Sequence, residues 1–400
     1  MNNEPVEAVH IDFSPERDAA IFEAIPAKPA VFTLRGEPGA EPYVSKSANL
    51  KRRLIRLLGA PEERTKRLNL RERVRSIDYA LTGSDFESRW ALYQALRREF
   101  PKDYRERLKL REAALVKLNL DNEYARAYVT RRVTSLKGKS LYYGPFQSRA
   151  AAEKFLNDSL DLFKMRRCDF DLNPDPQFPG CIYSEMKMCL APCFKGCSDE
   201  QYAEEVIRVR NFLDTAGESL TRELEAEREK ASAELAFEQA AAVHARIEKV
   251  HAAAHQRPEI ARRLDQLSGL IVQPCAEPGC VAFFRLEAGR MSGPTPFSVQ
   301  DQGEGKHLSM ETRITETLDG APHPQPGSAA ELMEHLALLK RWVFRTQRVG
   351  EIFLADEKGE LPMRRIVRGV SRVYRGEKEG SWSIPAGQLQ IEPKLEEPPQ

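Results

Sequence analysis

The chain has 400 residues, 41% of them hydrophobic, and a formal net charge of +1. This length predicts two to four domains, and the apolar fraction is enough for real cores. No run of eighteen apolar residues occurs, so a helical membrane span is excluded. The near-neutral sum conceals an asymmetry. Between Lys46 and Lys139, 25 Lys and Arg stand against 12 Asp and Glu, an excess of +13 that leaves −12 elsewhere. Solvated helix faces with i,i+4 pairs, as in PEERTKRLNLRERVR, would not explain so lopsided a sum. A basic block beside an acidic remainder points to a polyanionic partner, most simply nucleic acid. The acidic, polar N-terminus does not read as a signal peptide, so a reducing, cytoplasmic setting is expected. That setting favours metal or redox roles for the cysteines.

In chain order, residues 1–23 read as a polar extension. AVFTLRG (residues 30–36) has strand character, GEPGAEP makes a turn, and YVSKS (43–47) returns as a second strand. ANLKRRLIRLLG (48–59) is a basic amphipathic helix with Leu50, Leu54, Leu57 and Leu58 on one face, capped by Ser47 and Gly59. VRSIDYALTG is strand-like. Ser84 or Asp85 caps the helix FESRWALYQALRREF, which stops at Pro101. AALVKLNL and YARAYVTRRV pair across a DNE turn. Ser148 caps the helix after the Gly-Pro turn of YYGPF. Residues 199–255 read as two helices. GLIVQP and CVAFFRLEAGRMSG form a hairpin. PHPQPGS is a linker. SAAELMEHLALLKRWVFRTQ is an amphipathic helix that buries Leu332, Leu336, Leu339 and Trp342, and EIFLADE is a further strand. The fold class is α+β and multidomain. Segments are expected at 24–105, 106–160, 161–198, 199–255 and 256–382, with a disordered tail at 383–400.

Five of the seven cysteines fall between residues 168 and 197: Cys168, Cys181, Cys189, Cys193 and Cys197. Twelve residues separate the first two, then seven, then three. Soft thiolates at loop-like spacing suit zinc or an iron–sulfur cluster. A disulfide set would need an oxidising compartment, and free buried cysteines would serve as small hydrophobes. Pro192 between Cys189 and Cys193 argues for a turn rather than a helix. Cys275 and Cys280 are too isolated to define a site.

The order of hairpin, basic helix, strand and helix resembles the GIY-YIG nuclease domain of the UvrC excinuclease family. Tyr43, Val44, Lys46, Asn49, Leu50, Lys51 and Arg53 carry its second motif, and Pro101 with Lys102 sets the register of the last. The departures matter more. Phe32 stands at the tyrosine position of the first motif, Ser45 at a glycine, Leu92 at the metal-binding glutamate and Tyr104 at an asparagine. Of the catalytic set the resemblance implies, Arg53 survives, with Tyr43 and Lys46 beside it. Leu offers no oxygen to a hard cation and Phe no hydroxyl to act as base, so a divalent ion at this site is doubtful. A slipped register could offer Glu87 or Glu99 as ligand. Lys46, Lys51, Arg52 and Arg53 are the candidate DNA contacts.

The resemblance continues through Tyr143, Gly144, Pro145 and Phe146, and through Cys189-Leu190-Ala191-Pro192-Cys193. It implies a four-iron four-sulfur cluster on Cys168, Cys181, Cys189 and Cys193, with Cys197 as an extra thiol. LAFEQAAAVHARIEKV resembles the family's UVR motif, a helical hairpin that docks onto the excision-repair helicase UvrB. Leu235, Phe237, Ala241, Val243 and Ile247 are the expected partner-binding residues; His244, His251 and His255 read as surface residues. In the family, the part that follows leads to a second nuclease and a DNA-binding tail, and here the acidic triad of that nuclease is not met before Gln400. The expected function is a UvrC-like nucleotide excision repair protein that binds DNA and UvrB and lacks nuclease activity. The alternatives are an endonuclease making a single incision beside a lesion, and an iron–sulfur protein that binds nucleic acid or senses redox state.

Overall fold

The computed structural model describes residues 8–60, 68–134, 138–300 and 308–377. The tail expected at 383–400 lies outside them. Three four-stranded antiparallel sheets carry the architecture, each with helices on at least one face, and the class is mixed α+β as the pattern predicts.

The first sheet has the order β1-β4-β2-β3, formed by β1 (Val9–Asp12), β2 (Ala30–Arg35), β3 (Tyr43–Ser47) and β4 (Ser76–Leu81). The leading segment is therefore not a mere extension. Val9–Asp12 pairs with Tyr79–Ser76, and α1 (Asp18–Ala24) packs beside α2 (Leu50–Leu58). Ala30, Phe32 and Leu34 alternate onto the face covered by Leu50, Leu54, Leu57 and Leu58. The cap of α2 is Asn49 rather than Ser47. The Asn49 side chain accepts from the Arg52 N–H at 2.9 Å, while the Ser47 hydroxyl accepts from the Asn49 N–H at 3.1 Å. Ser84 caps α3 (Asp85–Glu99), accepting from the Glu87 N–H at 3.1 Å, and α4 (Tyr104–Leu108) follows.

The second sheet, β6-β5-β7-β8, comprises β5 (Ala114–Asn119), β6 (Arg126–Thr130), β7 (Leu141–Phe146) and the short β8 (Arg262–Arg263). One face of β5 turns Val116 and Leu118 toward α5 (Arg149–Leu160), and the other turns Leu115 into a different core. After the short α6 (Ile182–Glu185), residues 199–255 form three helices rather than two: α7 (Asp199–Asp214), α8 (Glu218–Ala233) and α9 (Phe237–His255). The first break falls at Ala216 and Gly217, both at positive φ, where the Gly217 N–H closes the turn on the Phe212 carbonyl at 2.9 Å.

The third sheet, β11-β10-β9-β12, is built from β9 (Gly269–Pro274), β10 (Cys280–Glu287), β11 (Arg290–Ser298) and, after α10 (Met310–Gly320) and α11 (Ala329–Val343), from β12 (Glu351–Leu354). The expected hairpin is a three-strand meander, because Ala288 and Gly289 turn the chain back at positive φ. Along β9, Ile271 faces α11, while Leu270 and Val272 face α10 and α12 (Met363–Arg375). Burial on both faces explains the unbroken apolar run of GLIV. The pattern of residues 363–375 did not announce α12. Its interior Gly369 is required by packing, since a Cβ there would stand 2.2 Å from Phe353 Cζ.

Candidate functional site

The structure brings three of the nuclease-motif positions together. Phe32 sits mid-strand opposite Ser45 and Tyr79 and is 1% exposed. Its ring lies 6.2 Å from that of Tyr43, and the Tyr43 hydroxyl accepts from Arg53 Nη2 at 2.8 Å. A depression of about 520 Å³ beside this group is lined by Tyr43, Ser45, Lys46 and Leu92, among others. The glutamate position of the resemblance is thus an apolar wall. Tyr104 lies elsewhere: it is buried, and its hydroxyl donates to Glu334 Oε1 at 3.0 Å.

Neither carboxylate that a slipped register would offer is available. Glu99 is gripped by Arg35 through two hydrogen bonds, at 2.8 and 2.9 Å, which hold its carboxyl below the usual range. Glu87 is 2% exposed and accepts from the Gly83 N–H at 2.7 Å. Burial pushes its carboxyl up to about 7. A carboxyl that is half protonated near neutral pH and faces a backbone amide is a poor ligand for a hard cation.

The candidate DNA contacts are mostly committed inside the chain. Lys46 pairs with Asp85, which also takes Arg89 at 2.8 Å and Arg345 at 2.6 Å. Burial works against the Asp85 carboxylate, yet the bonds from Lys46 and Arg89 hold it down to about 2. Lys51 Nζ donates to the Glu23 carbonyl at 3.3 Å. Arg52 is the one of the four fully on the surface.

Cys168, Cys181, Cys189 and Cys193 line a single small cavity of about 30 Å³, with Phe170, Phe178 and Tyr183 in its walls. Cys197 is not part of that lining. Pro192 opens a single turn, Pro192–Phe194, flanked by Ala191 and Lys195 in the left-handed region, so the segment is a turn and not a continuous helix. The Asp175 N–H ties the upstream loop to the Cys193 carbonyl at 2.8 Å. Burial pushes the Cys189 thiol up to about 11 and raises Cys193 and Cys197. Among the described residues, no three His, Cys, Asp or Glu side chains gather tightly enough to share one metal ion. Around one tetrahedral zinc the sulfurs would stand roughly 3.8 Å apart, whereas a cluster takes each thiolate on a different iron.

Arg166, which sequence reasoning missed, bears on the fit. It is 1% exposed and lines this cavity. Its Nη1 donates to the Cys168 sulfur at 3.3 Å, and its Nε to the Tyr124 carbonyl at 2.9 Å. Its Nη2 is buried without an acceptor. An anionic, thiolate-ligated group would supply that acceptor, so the donor set fits an iron–sulfur cluster in kind. The available signal was the Arg-Arg pair directly before Cys168.

The helical hairpin of α8 and α9 divides the expected docking residues. Val243 and Ile247, each 3% exposed, belong to the core shared with Phe212, Leu220, Leu224 and Val250. They are covered by the same chain, which corrects their assignment to a partner surface. Ala241 stays exposed. Leu235 and Phe237, at the tip between the helices, are 72% and 66% exposed. Leu235 is held at φ 59, with its N–H bonded to the Ser232 carbonyl at 3.1 Å. His244, His251 and His255 lie on the surface.

Known families account for the central part of this arrangement. Residues 115–212 match the middle domain of the UvrC/Cho excinucleases, and residues 218–253 match the UvrB/uvrC motif. A UvrC-type middle domain followed by a UVR helical hairpin is the arrangement that these segments define. UvrABC system protein C of a Thermoanaerobacter species is 24% identical over 338 residues, 83% of this chain and 54% of the relative. That of Carboxydothermus hydrogenoformans is 27% identical over 295 residues, 73% and 47% of the two chains. That of Idiomarina loihiensis is 30% identical over 222 residues, 54% and 34%. The chain is similar to the UvrC proteins through its middle domain and UVR motif, and it spans about half the length of the curated relatives it matches. No solved structure matches it. No helix among the described residues is long and apolar enough to cross a membrane.

Proposed function

We propose that this chain is a nucleotide excision repair protein that binds DNA and UvrB and does not cut DNA. The observation that carries the reading is the state of the nuclease-motif positions. The tyrosine position is a buried Phe32, the glutamate position is Leu92, and Glu87 and Glu99 are held by Gly83 and Arg35. The surrounding unit is a GIY-YIG-like fold that keeps Arg53 and Tyr43 in contact as structure. Without a base or a hard-cation ligand, metal-assisted phosphodiester cleavage has no route through these residues.

In the same reading, Cys168, Cys181, Cys189 and Cys193 hold a four-iron four-sulfur cluster. Its part is structural: when bound it supplies metal–thiolate energy to loops that have little core of their own. The thiols and Arg166 do the positioning, and Arg166 balances negative charge on sulfur.

UvrB docking rests on the hairpin tip. Two large apolar side chains held more than half exposed on an ordered turn are what an interface core would cover. The double substitution Leu235→Asp with Phe237→Asp is expected to weaken UvrB binding at least ~100-fold by calorimetry, since each anchor contributes about 2 kcal/mol. Thermal stability should be unchanged, because neither side chain packs in the fold. Unaltered affinity would remove the tip from the interface.

A further inference from the structure

A second cationic surface lies away from the nuclease-like helix. α11 carries Met333, Ala337 and Arg341 at steps of four residues, on one face. Met333 and Ala337 form one wall of a groove of about 330 Å³, and Arg105, Leu110, Glu112, Arg131 and Arg132 line the rest. Lys340 closes the end by donating to the Glu112 carbonyl at 3.0 Å. The groups come from four parts of the chain: α4, the stretch before β5, the residues just after β6, and α11.

Charge in this groove is not balanced. Its acids are Glu112 and Glu334, and Glu334 is already taken by Arg105 at 2.6 Å and by two tyrosine hydroxyls. Among the described residues, the guanidinium groups of Arg111, Arg131, Arg132 and Arg341 have no ion-pair partner. Burial and then repulsion from Arg131 and Arg111 lower Lys340. Arg341 is lowered by burial and by Arg89, Arg345 and Arg111, against the pull of Asp85. Lys340 therefore lies close enough to Arg131 and Arg111, and Arg341 close enough to Arg111, to feel their charge. Such a cluster is stable in the fold only because most of its members reach solvent, and it favours a polyanion.

We propose that this junction groove, from Arg131 and Arg132 across Lys340 to Arg341, seats the phosphodiester backbone of DNA. This rests on the reading that the chain binds DNA, and it places the main phosphate contacts here rather than on Lys46, Lys51 and Arg53, whose side chains are engaged internally. A backbone seated here would touch the nuclease-like unit, the middle sheet and the C-terminal unit at once.

The test is fluorescence anisotropy of the full chain with a short fluorescein-labelled duplex across a salt series. The probe variant replaces Arg111, Arg131, Arg132 and Arg341 with Gln, and Arg52→Gln serves as comparison. Each lost phosphate contact should reduce the log–log salt slope by about 0.9, so the fourfold variant should lose about 3 to 4 units of slope. Its affinity at low salt should fall by ~100-fold or more, while Arg52→Gln loses at most one contact. An unchanged slope in the fourfold variant, with wild-type binding intact, would overturn this placement and leave DNA binding standing. A wild-type chain that fails to bind the duplex would overturn both. Poly-glutamate binding as tightly as the duplex would overturn the assignment to nucleic acid.

Discussion

Replacing Glu334 with Ala is expected to destabilise the protein by about 3–5 kcal/mol, measured as the shift in urea midpoint. Glu334 is 7% exposed and stands where α11 meets α3 and α4. Its carboxylate accepts from the Tyr93 hydroxyl at 3.0 Å, from the Tyr104 hydroxyl at 3.0 Å, and from Arg105 at 2.6 Å. Tyr93 and Tyr104 are themselves buried, so deletion of the acceptor strands two hydroxyls, each costing about 1–3 kcal/mol. The rest of the interface is aromatic: Phe86 packs 5.0 Å from both Phe284 and Trp342, and Trp90 Nε1 donates to the Gly293 carbonyl at 2.7 Å. Glu334→Gln keeps one acceptor oxygen but turns the other into a donor and removes the charge, so it should cost less than the alanine change, roughly 1–2 kcal/mol. A loss below about 1 kcal/mol for Glu334→Ala would show that this network does not join the two units.

Cys189→Ser is expected to abolish iron binding. The wild-type chain purified without oxygen should carry about four irons and as many sulfides, with visible charge-transfer absorbance. Burial pushes the Cys189 thiol up to about 11, and it lies on the cavity that Cys168, Cys181 and Cys193 share. Serine offers a hard oxygen in place of a soft sulfur, and the metal-ligand energy that orders the loops around residues 168–193 should go with it. Cys197→Ser should keep the iron, because Cys197 does not line the cavity. Absence of iron from the wild type, or iron unaffected by Cys189→Ser, would contradict the assignment.

Local signals in the sequence carried far. The strand over residues 43–47, the Ser84 and Ser148 caps and the buried stripe of α11 were all readable from periodicity and capping chemistry. Long-range commitments were not. Val243 and Ile247 look like docking residues until α5 and α8 are seen against α9. The strand Val9–Asp12 is too polar to announce itself and exists because it pairs with β4. Phe86, Trp90 and Tyr93 reveal one face of α3, but only the fold shows that this face joins the third sheet. The site residues follow the same division. Five cysteines could be grouped by spacing and four of them singled out by the resemblance, whereas the approach of Arg166 to Cys168 and of Arg131 to Lys340 exists only in three dimensions.

In the proposed function the unit around Phe32, Tyr43 and Arg53 is nuclease-like in form and lacks the cutting chemistry. That lack is tested most directly by an incision assay: the chain with UvrB, a lesion-bearing duplex, and magnesium or manganese, resolved on a denaturing gel. The lesion strand should remain uncut with either metal. A defined incision that disappears with Arg53→Ala would contradict it.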